Sequence, residues 1–142
     1  MTEIGEYHVA RGCEHRGRLR SCRRPLLGQC QYCGGGFCAA HGERFGENEE
    51  VCIGTPCQQK KADLARHVVY RADAQRRNGA MMCGDQACEA PPRAACQRCR
   101  AHYCVDHLRQ HLLGVRRRGE IASEVVRLCL HCSERRRIWE PG

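Results

Sequence analysis

Cys30-Gln31-Tyr32-Cys33-Gly34-Gly35-Gly36-Phe37-Cys38-Ala39-Ala40-His41 decides how this chain folds, because Cys96-Gln97-Arg98-Cys99-Arg100-Ala101-His102-Tyr103-Cys104-Val105-Asp106-His107 repeats its pattern without a gap. One upstream cysteine joins each copy, giving Cys22-x7-Cys30-x2-Cys33-x4-Cys38-x2-His41 and Cys88-x7-Cys96-x2-Cys99-x4-Cys104-x2-His107. Five coincident positions of this kind mark an internal duplication. An aromatic residue, Phe37 or Tyr103, precedes the third cysteine of each core.

The spacing has a chemical meaning. Two cysteines separated by two residues can place both sulfurs on one metal ion, and a glycine after the second, as in Cys33-Gly34, supports the tight turn. Around the cores the remaining cysteines complete two groups divided by a cysteine-free stretch, residues 58–82. Cys13, Cys22, Cys30, Cys33, Cys38, Cys52 and Cys57 join His41, and Cys83, Cys88, Cys96, Cys99, Cys104, Cys129 and Cys132 join His107. Each group offers eight ligands. Zinc takes four in a closed structural site, so two ions per group, about four per chain, leave no ligand over.

Composition supports metal over a disulfide framework. Apolar residues make up 42% of the 142, but 14 of them are cysteines and only two Phe, one Trp and four Tyr add aromatic area. Small domains with so little core rely on metals or disulfides. Residues 1–7 carry no basic start and no apolar run, which argues against a secretory leader. No stretch approaches the ~18 apolar residues that span a bilayer. The expectation is a cytoplasmic protein whose thiols stay reduced, and histidines at ligand spacing have no use in a disulfide scaffold.

The cores carry a resemblance. Cys30-x2-Cys33-Gly34-Gly35-Gly36-Phe37-Cys38-x2-His41 resembles the AN1-type zinc finger, and the same core, in the second copy as much, resembles the B-box-type finger. The likeness covers roughly 30 residues of each copy. The closing pairs depart from it, with Cys52/Cys57 and Cys129/Cys132 standing where those families have two histidines or a histidine and a cysteine. The resemblance implies a cross-brace, in which alternate ligand pairs share an ion. It would pair Cys13, Cys22, Cys38 and His41 on one zinc and Cys30, Cys33, Cys52 and Cys57 on the next. Cys83, Cys88, Cys104 and His107 would take the third, and Cys96, Cys99, Cys129 and Cys132 the fourth. The expected fold is a small zinc-stabilised α+β structure of two tandem, treble-clef-like modules, residues 1–57 and 80–142, joined by a helical linker, 58–79.

Within that linker, residues 58–77 read as a helix ending at Asn78-Gly79. Leu64, Val68 and Ala72, with Val69 beside them, form a stripe at helical spacing expected to pack on a module, while Lys60, Lys61, Arg66 and Arg71 face solvent. A second helix is expected to begin at Val105 and carry residues 106–113. Residues 121–130 are rich in β-branched side chains and predict a strand delivering Cys129, and 133–138 predict a short helix. On a helix, His111 would share a face with His107 and compete for its site. His131, inside Cys129-Leu130-His131-Cys132, could replace a cysteine. His8, His15, His67 and His102 read as surface or packing residues.

The formal charge of +8 suggests nucleic acid, yet it counts thiols as neutral. Fourteen thiolates and four divalent zinc ions together change it by −6, leaving about +2. Local patches remain, at Arg116-Arg117-Arg118, at Arg135-Arg136-Arg137, and at Arg16, Arg18, Arg20, Arg23 and Arg24. Arginine binds phosphate bidentately and stacks on bases, but few aromatics are available for base stacking. The expected role is therefore a non-catalytic adaptor binding another protein, with RNA, DNA or a ribonucleoprotein as the alternative partner and no small-molecule substrate. Closed cysteine-rich sites, without a deaminase or His-Glu-x-x-His signature, argue against an enzyme. A RING-like ubiquitin ligase is the nearest exception, and the x4 spacing of Cys33 and Cys38 counts against it.

Overall fold

The duplication in sequence is a duplication in backbone geometry. The computed structural model describes residues 11–15 and 22–140; His8, Arg16, Arg18 and Arg20 lie outside the described residues. The chain is a small mixed α/β structure that divides into two compact units, Met1–Ala62 and Asp63–Gly142, with the boundary inside a helix.

In the first unit, β1 (Gly28–Gln29) pairs antiparallel with β2 (Gly36–Phe37), and β3 (Gly42–Phe45) with β4 (Glu49–Cys52). The β1–β2 turn is a knuckle closed by Gly34 N–H on the Cys30 carbonyl (2.8 Å) and Cys30 N–H on the Gly35 carbonyl (2.8 Å). Gly34 holds a φ of +75° there, the left-handed region that glycine enters freely. Phe37 is fully buried and packs with Val51, Cys30 and Cys57. It lies so close to Gly42 that a Cβ there would sit 2.2 Å from its ring. Helix α1 (Thr55–Gly79) follows, starting three residues before the expected 58 and so placing Cys57 in its first turn.

The second unit repeats this order at an offset of 66 residues, the distance from Cys30 to Cys96. β5 (Ala94–Ala95) pairs with β6 (His102–Tyr103), and the knuckle closes through Arg100 N–H on Cys96 O (3.0 Å) and Cys96 N–H on Ala101 O (2.9 Å). Arg100 takes the place of Gly34, at φ +65°. The hairpin β7 (Arg109–Arg117) to β8 (Glu120–Leu128) replaces β3–β4 with strands of nine residues instead of four. Helix α2 (Leu130–Trp139) then carries Cys132 in its first turn.

Two expectations are corrected. Residues 106–113 are not a helix. A single 3-10 turn, Val105–His107, gives way to β7, whose backbone pairs in register with β8, where His111, Leu112 and Arg116 face the β-branched Val126, Val125 and Ile121. The stripe Leu64, Val68 and Val69 is also not the packed face of α1, since Val68 and Val69 are each 69% exposed. Within the second unit the packed face is Asp63, His67, Tyr70, Ala74 and Arg77, mostly polar or aromatic. Hydrogen bonds select it over the aliphatic stripe. Arg77 donates from Nε to the Cys83 carbonyl (2.9 Å), and Asn78 Oδ1 accepts from His102 N–H (2.9 Å).

Candidate metal centres

Each unit brings its ligands together by the same route. The knuckle supplies one pair, the end of the long hairpin and the first helical turn supply another, and these two pairs meet. Cys30, Cys33, Cys52 and Cys57 form one cluster, and Cys96, Cys99, Cys129 and Cys132 form its counterpart. The pair before the knuckle meets the pair after it: Cys13, Cys22, Cys38 and His41 in one unit, Cys83, Cys88, Cys104 and His107 in the other. In every cluster the four ligand atoms lie within 4.8 Å of one another.

The distances separate a metal site from the alternatives. Sulfur pairs stand 3.8 Å apart for Cys33–Cys52 and 3.9 Å for Cys22–Cys38, Cys88–Cys104 and Cys99–Cys129. A disulfide would need about 2.05 Å, and all fourteen cysteines are free. A tetrahedral ion with bonds of about 2.3 Å to sulfur sets its ligands about 3.8 Å apart. The histidines enter through Nδ1. That atom of His41 lies 3.4 Å from Cys13 Sγ and 3.3 Å from Cys38 Sγ, and that of His107 lies 3.5 Å from Cys83 Sγ and 3.1 Å from Cys104 Sγ. Asp85 stands 4.0 Å from His107 Nε2, beyond hydrogen-bond distance but on the side opposite the ligating nitrogen. Partial burial, with His15 stacked at 4.1 Å and Arg24 nearby, lowers the pKa of His41 and favours the neutral ring a metal requires.

Without a cation, one such cluster cannot hold four negative sulfurs. Hydrogen bonds from Cys129 and then Cys132 draw the Cys99 thiol down to about 6, and those from Cys129, Cys132 and Cys99 lower that of Cys96. The same bonds, Cys129's foremost, push Cys132 up. Only a divalent ion lets all four ionise. Further donors face these sulfurs: Cys129 N–H to Cys96 Sγ (3.4 Å), Cys132 N–H to Cys129 Sγ (3.4 Å) and Cys104 N–H to Cys83 Sγ (3.3 Å).

The two all-cysteine clusters differ in exposure. Cys96, Cys99, Cys129 and Cys132 are all buried, whereas Cys33 is exposed and Cys52 half-buried. Tyr103 accounts for part of this. It stands where the first unit has Phe37, and its hydroxyl lies 3.5 Å from Cys99 Sγ and 2.6 Å from the Tyr70 hydroxyl on α1. Either tyrosine can donate to the other, and against a metal-bound thiolate, which can only accept, the Tyr103 hydroxyl is the donor.

Neither competing histidine joins a cluster. His131 Nε2 meets His67 Nδ1 at 2.9 Å and its ring stacks 3.8 Å from that of Tyr70, while Cys132 turns inward. His111 sits on β7, away from the helical face that would have aligned it with His107. The arginine runs divide. Arg116 and Arg118 are exposed at the β7–β8 hairpin, and Arg117 donates to Glu124 (2.6 Å). On α2, Arg135 Nε binds Asp63 Oδ2 at 2.7 Å, Arg136 binds Glu140 at 3.4 Å, and Arg137 is exposed. Arg23 and Arg24, beside Cys22, are exposed.

Sequence reasoning missed two sets of residues. Gln31 and Gln97 follow the first cysteine of each knuckle, and each clamps the returning strand of its hairpin. Gln31 N–H binds Glu50 O (2.9 Å) while its Oε1 accepts from Glu50 N–H (3.3 Å), and Gln97 does the same with Arg127 (3.0 and 2.5 Å). Both partners lie two residues before the closing cysteine, so the shared glutamine was the available signal. Asp63, 3% exposed, carried none; it also accepts from Trp139 Nε1 (2.7 Å).

A scan against protein-family models found no match, and searches of curated proteins and of solved structures found none either. The geometry stands on its own: four Cys/His clusters that could each hold a metal ion, with donor sets compatible with zinc-binding modules. Among the described residues no helix is long and apolar enough to cross a membrane.

Proposed function

We propose that this chain is a non-catalytic zinc-binding adaptor, built from two tandem cross-brace zinc fingers of AN1-like or B-box-like core that present rigid surfaces to another protein. The interleaving carries the reading: first and third ligand pairs share a cluster, as do second and fourth, in both units. Four such ions fix loops, hairpins and helix starts that so small a core would leave unordered. Complete sets of four ligands favour structural over catalytic zinc, since a catalytic ion keeps a position for water or substrate. Thiols in this number stay reduced in a reducing compartment, which supports a cytoplasmic location.

Binding a protein is favoured over binding RNA or DNA by the fate of the arginines. Arg135 and Arg136 hold internal partners, the remaining exposed arginines are scattered over both units, and the hairpin that carries Arg116 and Arg118 has no Phe, Tyr or Trp between Arg109 and Leu128 to stack on bases. The deciding experiment is affinity capture of the zinc-loaded chain from its native host, with and without nuclease treatment. A protein partner retained through nuclease supports the adaptor. Loss of every partner on nuclease treatment transfers the reading to nucleic acid.

A further inference from the structure

The β7–β8 hairpin is an unpartnered two-stranded sheet, nine residues long on each side. The corresponding hairpin of the first unit, β3–β4, ends after four residues. The extension adds nothing to the clusters, because Leu128 and Cys129 are already placed by Gln97. What it adds is strand edge, and exposed edges are templates for another strand.

The edge can be read residue by residue. Arg127 gives both its N–H and its carbonyl to Gln97, so these groups point away from β7. Its register partner is Gln110, and antiparallel pairs alternate between bonded and non-bonded. On β7, Gln110, Leu112, Gly114 and Arg116 therefore turn their backbone groups outward. Among the described residues no hydrogen bond reaches those of Leu112, Gly114 or Arg116. The side chains of Leu112 (69% exposed), Val125 and Ile121 lie on the same outer face, beside Arg116 and Arg127.

Two observations choose the edge and its occupant. β7 carries Arg109, Arg116 and Arg117 and no acid, with Arg118 at its end, whereas β8 carries Glu120 and Glu124 and is closed at its base by Gln97. Gly114 stands in the middle of β7 for no reason internal to the chain: its φ is not positive, and an added Cβ would meet only Ile121, at an ordinary 3.6 Å. A strand-interior glycine of this kind leaves room for another backbone to approach closely. A second copy gains no charge complementarity, since a two-fold pairing about Gly114 sets Arg116 opposite Leu112, whereas an acidic strand offers it a carboxylate.

We infer that the β7 edge, centred on Gly114, accepts an extended acidic segment of a partner protein as a third strand, with backbone hydrogen bonds at Leu112, Gly114 and Arg116 and carboxylates on Arg116 and Arg118. This rests on the adaptor reading and names its surface. Strand addition draws affinity from main-chain bonds and specificity from alternate side chains.

The test uses the full zinc-loaded chain and a fluorescein-labelled nine-residue peptide alternating glutamate with valine and threonine. Its controls are the same peptide with glutamine for glutamate and a single-stranded oligouridylate. The acidic peptide should bind saturably and shift the amide resonances of residues 112–116. Gly114→Pro, which removes an outward N–H while sparing the ladder, should weaken binding about 10-fold. Arg116→Ser with Arg118→Ser should weaken it at least as much. Zinc content measured on each variant shows that the modules remain intact. Equal binding of the glutamine peptide, undiminished binding by Gly114→Pro, tighter binding of the oligouridylate, or no saturable binding would each overturn the inference. So would sedimentation showing a wild-type dimer that Gly114→Pro dissociates. If the peptide fails while a nuclease-resistant protein is still captured, the adaptor stands and only its surface is wrong.

Discussion

Replacing Asp63 with alanine removes the one buried charge that ties α1 to α2 in the second unit. The Asp63 side chain is 4% exposed, and a single oxygen accepts from Arg135 Nε and Trp139 Nε1, both at 2.7 Å. A hydrogen bond to a charged group contributes ~1.5–3 kcal/mol, and breaking a buried pair from one side costs ~3–5 kcal/mol because the other charge is stranded. Arg135 is 19% exposed and can regain some water, which puts the loss at the lower end, about 3 kcal/mol. For a unit of this size, 4–8 °C per kcal/mol gives a fall in Tm of roughly 12–24 °C. Trp139 is the only tryptophan, so its fluorescence during thermal unfolding at fixed free zinc reports on this unit alone. Burial opposes ionisation of Asp63, but Trp139 and Arg135 outweigh it and hold the carboxyl below its usual range. A depressed carboxylate stabilises above its unfolded pKa of about 4 and loses that effect only as pH falls through the folded value. The deficit of Asp63→Ala should therefore be constant from pH 6 to pH 8. Asp63→Leu combined with Arg135→Met should recover most of the loss, since apolar pairs can replace buried ion pairs. A deficit under about 0.5 kcal/mol, the range of surface substitutions, would refute this account of the contact.

Three further outcomes are expected. Elemental analysis should find about four zinc ions per chain, and chelation under reducing conditions should abolish dispersed amide resonances; a count near two, or dispersion that survives chelation, contradicts four structural sites. Gln97→Ala should cost about 1 kcal/mol and accelerate hydrogen exchange at the Arg127 amide, with Gln31→Ala doing the same at Glu50; unchanged exchange removes the clamp from the argument. Tyr103→Phe should speed zinc transfer to a chelator from the cluster of Cys96, Cys99, Cys129 and Cys132 while leaving that of Cys30, Cys33, Cys52 and Cys57 unaffected, because the Tyr103 hydroxyl lies on a sulfur of the former. Equal rates in both forms would show that the donor does not guard that cluster.

How much was legible depended on whether local chemistry or distant partners set each feature. The duplication, the knuckles and the groups of cysteines are written in spacing, since a tight turn and a four-ligand ion constrain residues that are close in the chain. The strand before Cys129 and the helix after it followed from β-branching and the return to helical spacing. Residues 106–113 misled because Asp106 to Leu113 fits a helix as an isolated stretch. It becomes a strand only because residues 120–128 return beside it, and a ladder partner is invisible to local periodicity.

By itself, then, the sequence determined which residues are offered as ligands and that they come in two equivalent groups, because thiolate and imidazole chemistry does not depend on context. The tertiary structure decided which face of α1 is buried. The aliphatic stripe at Leu64 and Val68 lost to Asp63, His67, Tyr70 and Arg77, whose partners Arg135, His131, Tyr103 and Cys83 come from elements at least six residues away in the chain. It also decided that the insertion after His107 becomes an arm with open edges. Both outcomes turn on hydrogen-bond partners, and a donor is matched to its acceptor only once the chain has folded.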